Sequence, residues 1–284
     1  MEALQAILAK LNGSGLTFDD MTPKDFEQMK VDSLNASEGN RHLEDGYDCK
    51  VCKNKGYIVK LQESPGGHFT QVMADCQCAE VRRSILRMKK SGLKDVIKDF
   101  TFDKYEATEP WQNTIKNAAI EYAKNPQGWF YMGGQSGAGK SMICTAICRE
   151  FLLNGRKVMY MSWREDVAVL KGFAMEPEER EKLIDRFKRT EVLYIDDLFK
   201  DGKGEDGRRK LPSPADIRLA FEIINYRYNN PNLLTLLSSE WSVDELLDID
   251  EAIGGRIFER AGAYGFNIAP DRSKNYRTKR MVML

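Results

Sequence analysis

Eight consecutive residues carry the strongest chemical signal in the chain: Gly134-Gln135-Ser136-Gly137-Ala138-Gly139-Lys140-Ser141. They fit the pattern G-x-x-x-x-G-K-[ST], after an apolar strand-like run and at the opening of a helix. Glycines in such a turn let backbone N–H groups converge on phosphate oxygens. The helix N-terminus adds partial positive charge. Lys140 can then reach the β- and γ-phosphates, and the Ser141 hydroxyl can ligate Mg²⁺. The run Val192-Leu193-Tyr194-Ile195-Asp196-Asp197 supplies the other half. An apolar strand ending in acids sets carboxylates at the carboxyl edge of a sheet, where ligands bind. Asp196 is expected to hold Mg²⁺ through water, and Asp197 to polarise an attacking water. Two acids after a strand would by themselves read as a helix cap or a loop. Their place downstream of the phosphate turn makes ATP or ADP with Mg²⁺ the expected ligand.

Further groups fit the same chemistry. The apolar run Leu233–Leu237 is followed by Ser238-Ser239-Glu240, so a polar side chain at that tip can face the γ-phosphate or the water. Arg256 and Arg260 are four apart and share a helical face. Arg277 lies in Asn275-Tyr276-Arg277. A planar, permanently charged guanidinium suits developing phosphate charge, although a surface ion pair is the plain alternative for each arginine.

Cysteine spacing points to a second kind of site. Cys49 and Cys52 form C-x-x-C, and Cys76 and Cys78 form C-x-C. Four thiolates within thirty residues suit tetrahedral Zn²⁺. Between the pairs, Gly56–Gln62, Ser64-Pro65-Gly66-Gly67-His68 and Phe69–Ala74 read as a two-stranded hairpin with its turn. His68 falls near the tip and is expected to stay free. Four ordinary thiols are the alternative. Cys144 and Cys148, inside an apolar stretch, are expected to pack in a helix.

These groups need elements to position them. At roughly 150 residues per domain, 284 residues imply about two domains. Hydrophobic residues are 42% and charged residues 30%, enough for a sizeable core. Lys plus Arg and Asp plus Glu are 43 each, which argues against a protein that coats polyanions, but not against local basic patches. No apolar run reaches the ~18 residues of a membrane span, and the start shows no secretory pattern. A cytoplasmic, reducing location is expected, and disulfides are not.

Residues 1–45 read as an acidic helical lead-in, with a helical stripe at Leu4, Ile7, Leu8 and Leu11. Thr22-Pro23-Lys24-Asp25 reads as a helix start. Residues 46–80 form the zinc-binding unit, 81–92 a basic connecting helix, and 93–284 an α/β domain. Within that domain, Trp129–Met132, Val158–Met161, Val192–Ile195 and Leu233–Leu237 read as buried parallel strands between helices. Tyr264, Phe266 and Ile268 alternate as a last strand. Ser213-Pro214-Ala215-Asp216 and Ser242-Val243-Asp244-Glu245 read as further helix starts.

Taken together, the CxxC…CxC knuckles, GGQSGAGKS, VLYIDDL, LLSSE, DELLDIDEAIGGRIFERAG and the closing NYR resemble the DnaC/DnaI-type helicase loaders within the AAA+ ATPases. The resemblance is strong over about 93–280 and moderate over 46–80. It implies a P-loop αβα sandwich with a parallel five-stranded sheet, preceded by a small helical and zinc-knuckle domain. It implies ATP hydrolysis and, at the sensor 1 position, Ser239 with Ser238 close behind. Arg260 is implied as the arginine finger offered to a neighbouring subunit, with Arg256 as competitor, and Arg277 as sensor 2. The Asp196-Asp197 ending, where AAA+ proteins commonly carry Asp-Glu, implies slow turnover.

The implied partners are a replicative DnaB-type helicase, gripped by the N-terminal region, and single-stranded DNA. A homo-oligomer in the ATP state, hexameric on the helicase, follows from the trans arginine; no membrane is involved. Trp163–Thr190 resembles the extra helical insertion of initiators and loaders. Its Lys171, Phe173 and Arg180, and the loop Lys200–Lys210, are candidate DNA contacts. An IstB-like transposition ATPase, a zinc adaptor with a structural nucleotide site and a small-molecule P-loop kinase remain alternatives.

Overall fold

The computed structural model describes residues 21–65, 67–90, 93, 95–202 and 209–278. The stripe at Leu4, Ile7, Leu8 and Leu11 lies outside them, as does most of the loop between Lys200 and Lys210. The chain forms two compact units, Met1–Arg83 and Ser84–Leu284.

In the first unit, helix α1 (Pro23–Ala36) starts at Thr22, whose side chain and that of Asp25 close a reciprocal capping box. A turn of helix α2 (His42–Asp45) follows. Strands β1 (Tyr57–Ser64) and β2 (His68–Asp75) form the expected antiparallel hairpin, from Tyr57 opposite Asp75 to Ser64 opposite His68. Asn35 clamps α1 to this hairpin. Its amide donates to the Val59 carbonyl at 2.8 Å and its oxygen accepts from the Val59 N–H at 2.9 Å. Lys55 terminates α1. Its buried ammonium donates to the carbonyls of Leu34, Asn35 and Ser37, the orphan acceptors of a helix end. Helix α3 (Cys78–Lys90) begins three residues earlier than expected, at a cysteine.

The second unit holds α4 (Val96–Asp99), α5 (Pro110–Lys124), β3 (Trp129–Gly134), α6 (Lys140–Leu153), β4 (Val158–Ser162), α7 (Trp163–Gly172), α8 (Pro177–Arg189), β5 (Val192–Leu198), α9 (Pro214–Tyr228), β6 (Leu234–Ser239), α10 (Val243–Ile249), α11 (Glu251–Ala261) and β7 (Gly265–Ile268). Every strand pair is parallel, in the order β4-β5-β6-β3-β7. Side chains alternate across this sheet. Trp129, Tyr131, Leu193, Ile195 and Leu237 join one core with Phe187 and Ile223. On the other face Phe130 meets Tyr122, which meets Phe151. Cys144 and Cys148 are fully buried in α6, and burial pushes both thiols well up. Among the described residues no helix is long and apolar enough to cross a membrane.

One structural group left no sequence signal. Arg227 of α9 is fully buried, and burial brings its guanidinium down to about 9. It donates to the carbonyls of Phe187, Lys188, Thr190 and Leu234 and to the Thr235 hydroxyl at 2.6–3.0 Å. It thereby ties the end of α8 to the start of β6. Arg227→Leu leaves these acceptors unpaired, and each orphaned buried acceptor costs about 1–3 kcal/mol. We expect a loss of at least about 3 kcal/mol in urea unfolding, and an unchanged midpoint would contradict that role.

Candidate nucleotide-binding site

The phosphate turn leaves β3 at Gly134 and enters α6 at Lys140. Gly134, Gly137 and Gly139 adopt φ of 94°, 74° and 86°, a region open to glycine and strained for other residues. A Cβ at Gly134 would stand 2.2 Å from the Ile268 carbonyl oxygen, and one at Gly137 2.1 Å from Asn275 Oδ1. The turn is therefore held by the last segment of the described chain. Gln135 N–H donates to the Ile268 carbonyl at 2.9 Å, and Tyr276 N–H donates to the Gly137 carbonyl at 3.0 Å. Arg277 follows immediately, exposed, its N–H on Asn275 Oδ1 at 2.9 Å.

Lys140 is buried, and its ammonium donates to the carbonyls of Gly134 and Gln135 at 2.8 Å each. Burial lowers its pKa, while Asp197 and Glu240 act in the opposite sense. Ser141 donates to Asp196 Oδ1 at 2.9 Å across 55 residues of sequence. Asp196 is also the acceptor for Tyr194 at 2.6 Å, for Tyr160 at 2.9 Å and for Ser238. Tyr160 and Tyr194 are cross-strand partners on β4 and β5. Tyr194 lies two residues before Asp196, so the pleat puts both on one face. A carboxylate and a hydroxyl beside a phosphate turn are hard oxygen donors of the kind Mg²⁺ takes, and they fit that ion.

The acids do not end β5, as the sequence suggested. The strand continues through them to Leu198, with a register shift against β6 between Ile195 and Leu198. Asp197 sits at φ 56° in that irregularity. Its Oδ2 receives Lys200 Nζ at 2.8 Å. Burial first, then the Asp196 charge, raises its pKa, and Lys200 counters both.

The two serines at the tip of β6 separate clearly. Ser238 Oγ donates to Asp196 and accepts from the Asp197 N–H at 3.0 Å. Ser239 Oγ donates to the Leu198 carbonyl at 2.8 Å and accepts from the Trp241 N–H at 3.1 Å. The hydroxyl set against the acids is thus Ser238, whereas the sequence ranked Ser239 first. The sequence assigns Glu240 no role, yet Lys200 Nζ is 3.4 Å from its Oε1. Burial opposes its ionisation, but Lys200, the Ser136 hydroxyl and Lys140 outweigh that and hold its pKa down. Its sequence signal was position: β6 lies between the phosphate-turn strand and the acid-bearing strand, so its tip faces both.

Arg260 stands elsewhere. It donates to the Tyr228 carbonyl at 2.7 Å, and its own carbonyl meets Gly128, just before β3 begins. The phosphate turn leaves the far end of β3, about 20 Å away at ~3.3 Å per residue. Arg256 lies over the rings of Phe221 and Tyr228 and donates to Asn225 at 3.1 Å. Lys171 and Arg180, candidate DNA contacts, pair with Asp216 at 2.7 Å and Glu222 at 3.6 Å. Phe173 is half-buried at the end of α7.

The other predicted cluster assembles in the first unit. Cys49, Cys52, Cys76 and Cys78 are all buried, and their sulfurs lie within 4.8 Å of one another. Cys49 and Cys76 sulfurs are 3.9 Å apart, and those of Cys52 and Cys78 3.6 Å. Tetrahedral Zn–S bonds of about 2.3 Å place sulfurs about 3.8 Å apart, so the donor set fits Zn²⁺. Gly56 N–H donates to Cys52 at 3.2 Å. Arg82 is buried beside them, paired with Asp45 and donating to Asn54 at 3.0 Å; Asn54 in turn accepts from the Cys49 N–H at 2.8 Å. His68 is exposed at the hairpin turn.

A parallel sheet in this order, with the phosphate turn on β3 and Asp196 on β5, defines the AAA+ class of P-loop proteins. YqaM of Bacillus subtilis, an uncharacterised protein, is 33% identical to this chain over 280 residues, 81% of this chain and 86% of YqaM. XkdC of the phage-like element PBSX, also from B. subtilis, is 30% identical over 77% of this chain and 81% of its own length. The chain belongs to one family with these two proteins, and it is similar to the DnaC/DnaI-type AAA+ loaders. The replicative helicase loader DnaC of Escherichia coli is 25% identical over 113 residues, 38% of this chain and 46% of DnaC. The crystal structure of the DnaC helicase loader aligns with a TM-score of 0.49 at 18% identity, over 62% of this chain and 98% of that one. No protein-family model matches the chain.

Proposed function

We propose that the protein is an ATPase that binds a DnaB-type replicative helicase and delivers it onto single-stranded DNA, with ATP binding and hydrolysis switching assembly and release. The observation that carries this reading is the joined site of Lys140, Ser141 and Asp196, in a chain that is 25% identical to a helicase loader over 113 residues. Lys140 leaves its two carbonyls for phosphate oxygens. Ser141 and Asp196 hold Mg²⁺, which when bound neutralises phosphate charge. Asp197 orients the attacking water, and Ser238 orients both acids, with Ser239 fixing the strand behind it. Arg277, beside the turn, serves its own site. Arg260, at the opposite end of β3, is offered to the site of another copy, so that the ATP state is an oligomer. The first unit, with Zn²⁺ on its four cysteines, grips the helicase.

The test mixes full-length protein with a DnaB-type helicase and ATP or ADP, and follows complex formation and helicase transfer to circular single-stranded DNA. We expect an ATP-dependent complex and faster transfer, both lost in Arg260→Ala, which keeps nucleotide binding. A protein that forms no such complex and leaves delivery unchanged is not a loader.

A further inference from the structure

Resting on the nucleotide-site reading above, we propose that Lys200 is a γ-phosphate-binding residue, held between Asp197 and Glu240 until a triphosphate draws it away. Its Nζ lies 2.8 Å from Asp197 Oδ2 and 3.4 Å from Glu240 Oε1. One carboxylate lies near the end of β5 and the other follows the tip of β6, the strand beside the phosphate turn. Glu240 also receives the hydroxyl of Ser136, inside that turn. Lys200 therefore sits where the end of a triphosphate on Lys140 would arrive.

Charge gives the reason for its movement. Asp196, Asp197 and Glu240 place three carboxylates at this end of the site. Lys140 and Lys200 are the ammonium groups set against Asp197 and Glu240, and both acids act on both lysines. A γ-phosphate adds negative charge to a group already rich in it. An ammonium on a flexible stem, 37% exposed and with room to turn, can exchange a carboxylate for a phosphate oxygen. A diphosphate ends short of that position and leaves Lys200 on its acids. The chain just beyond is fixed to the same strand tip: Arg209 donates to the Glu240 carbonyl and to Glu245, and stacks on Trp241 at 4.2 Å.

The test compares affinities of the full chain, with Mg²⁺, for a non-hydrolysable ATP analogue and for ADP. Lys200→Met should weaken the triphosphate about tenfold and change ADP less than about twofold, since one charge-assisted contact is lost from one ligand only. Lys200→Arg should recover most of the loss. Retained ADP binding also shows that the variant is folded. Equal losses for both ligands, or no change in either, would overturn the proposal. A wild type that binds neither nucleotide would overturn the site reading and this proposal together, whereas normal ADP binding with an unselective Lys200→Met leaves the site standing and rejects Lys200 alone.

Discussion

Lys140→Ala should reduce ATP turnover by at least about a hundredfold, a barrier increase of about 2.7 kcal/mol, and weaken nucleotide binding with it. The ammonium is held at 2.8 Å by two carbonyls of the turn itself, and burial disfavours its charge. A phosphate oxygen is a far better partner for a buried cation than a neutral carbonyl, so much of the gain on binding comes from that exchange. Removing the cation takes away one of the positive charges that offset Asp197 and Glu240 as the phosphates arrive. Effects of 10²–10³ are typical where one positioned charge stabiliser is lost. Folding should survive, because alanine is the best helix former and position 140 is the first residue of α6. The measurements are phosphate release and nucleotide affinity, with circular dichroism as control. Asp196→Asn should lose turnover comparably while retaining ADP. Turnover within about threefold of wild type in the folded Lys140→Ala variant would remove the basis for calling this an ATP-driven protein.

How far this site could be read in advance follows from where its information lies. The phosphate turn was legible because its physics demands particular residue types at fixed spacing, and the capping boxes at Thr22, Ser213 and Ser242 were legible for the same local reason. Strands β3 to β6 announced themselves as short apolar runs because both faces of this sheet are covered. Their ends were harder. β5 runs past the acids because its irregularity at Asp197 is set by pairing with β6, which no local rule contains. The choice between Ser238 and Ser239 depends on which phase of the pleat faces Asp196, and only the register fixes that. Lys200, Glu240 and the tyrosines around Asp196 are joined through three different strands. The pairing of Lys171 with Asp216 left no local signal because the two are 45 residues apart in sequence. Arg227 was silent because its acceptors are backbone carbonyls, which every residue has.

Removing Zn²⁺ from the first unit should collapse it. Its four cysteines form one buried cluster, with Tyr47 and Ile58 packed against them. β2 faces solvent along most of its length, so the hairpin has little core to hold it. A unit this small normally needs a staple, and a structural Zn²⁺ supplies binding energy of about 10–16 kcal/mol in small peptides. Charge reinforces the point. Cys52 is drawn down to about 7 by the Gly56 N–H and neighbouring thiols, against its burial. Cys78 is pushed up to about 12 by burial, even with Arg82 beside it. Cys78 gives up its proton only if a metal compensates for its burial, and without one the buried Arg82 loses that thiolate as a counter-charge beside Asp45. A strong chelator, or Cys78→Ser, should therefore expose residues 21–83 to protease within minutes while ATP turnover by the second unit persists. Arg82→Met should keep the four ligands yet weaken Zn²⁺ about tenfold or more, the usual penalty for losing an outer partner of a metal ligand. Cys144→Ser should leave metal content at one equivalent per chain by mass spectrometry. Protein purified in its folded form with no bound metal, and indifferent to chelator, would show that four thiols and an ion pair suffice, and would end the zinc assignment.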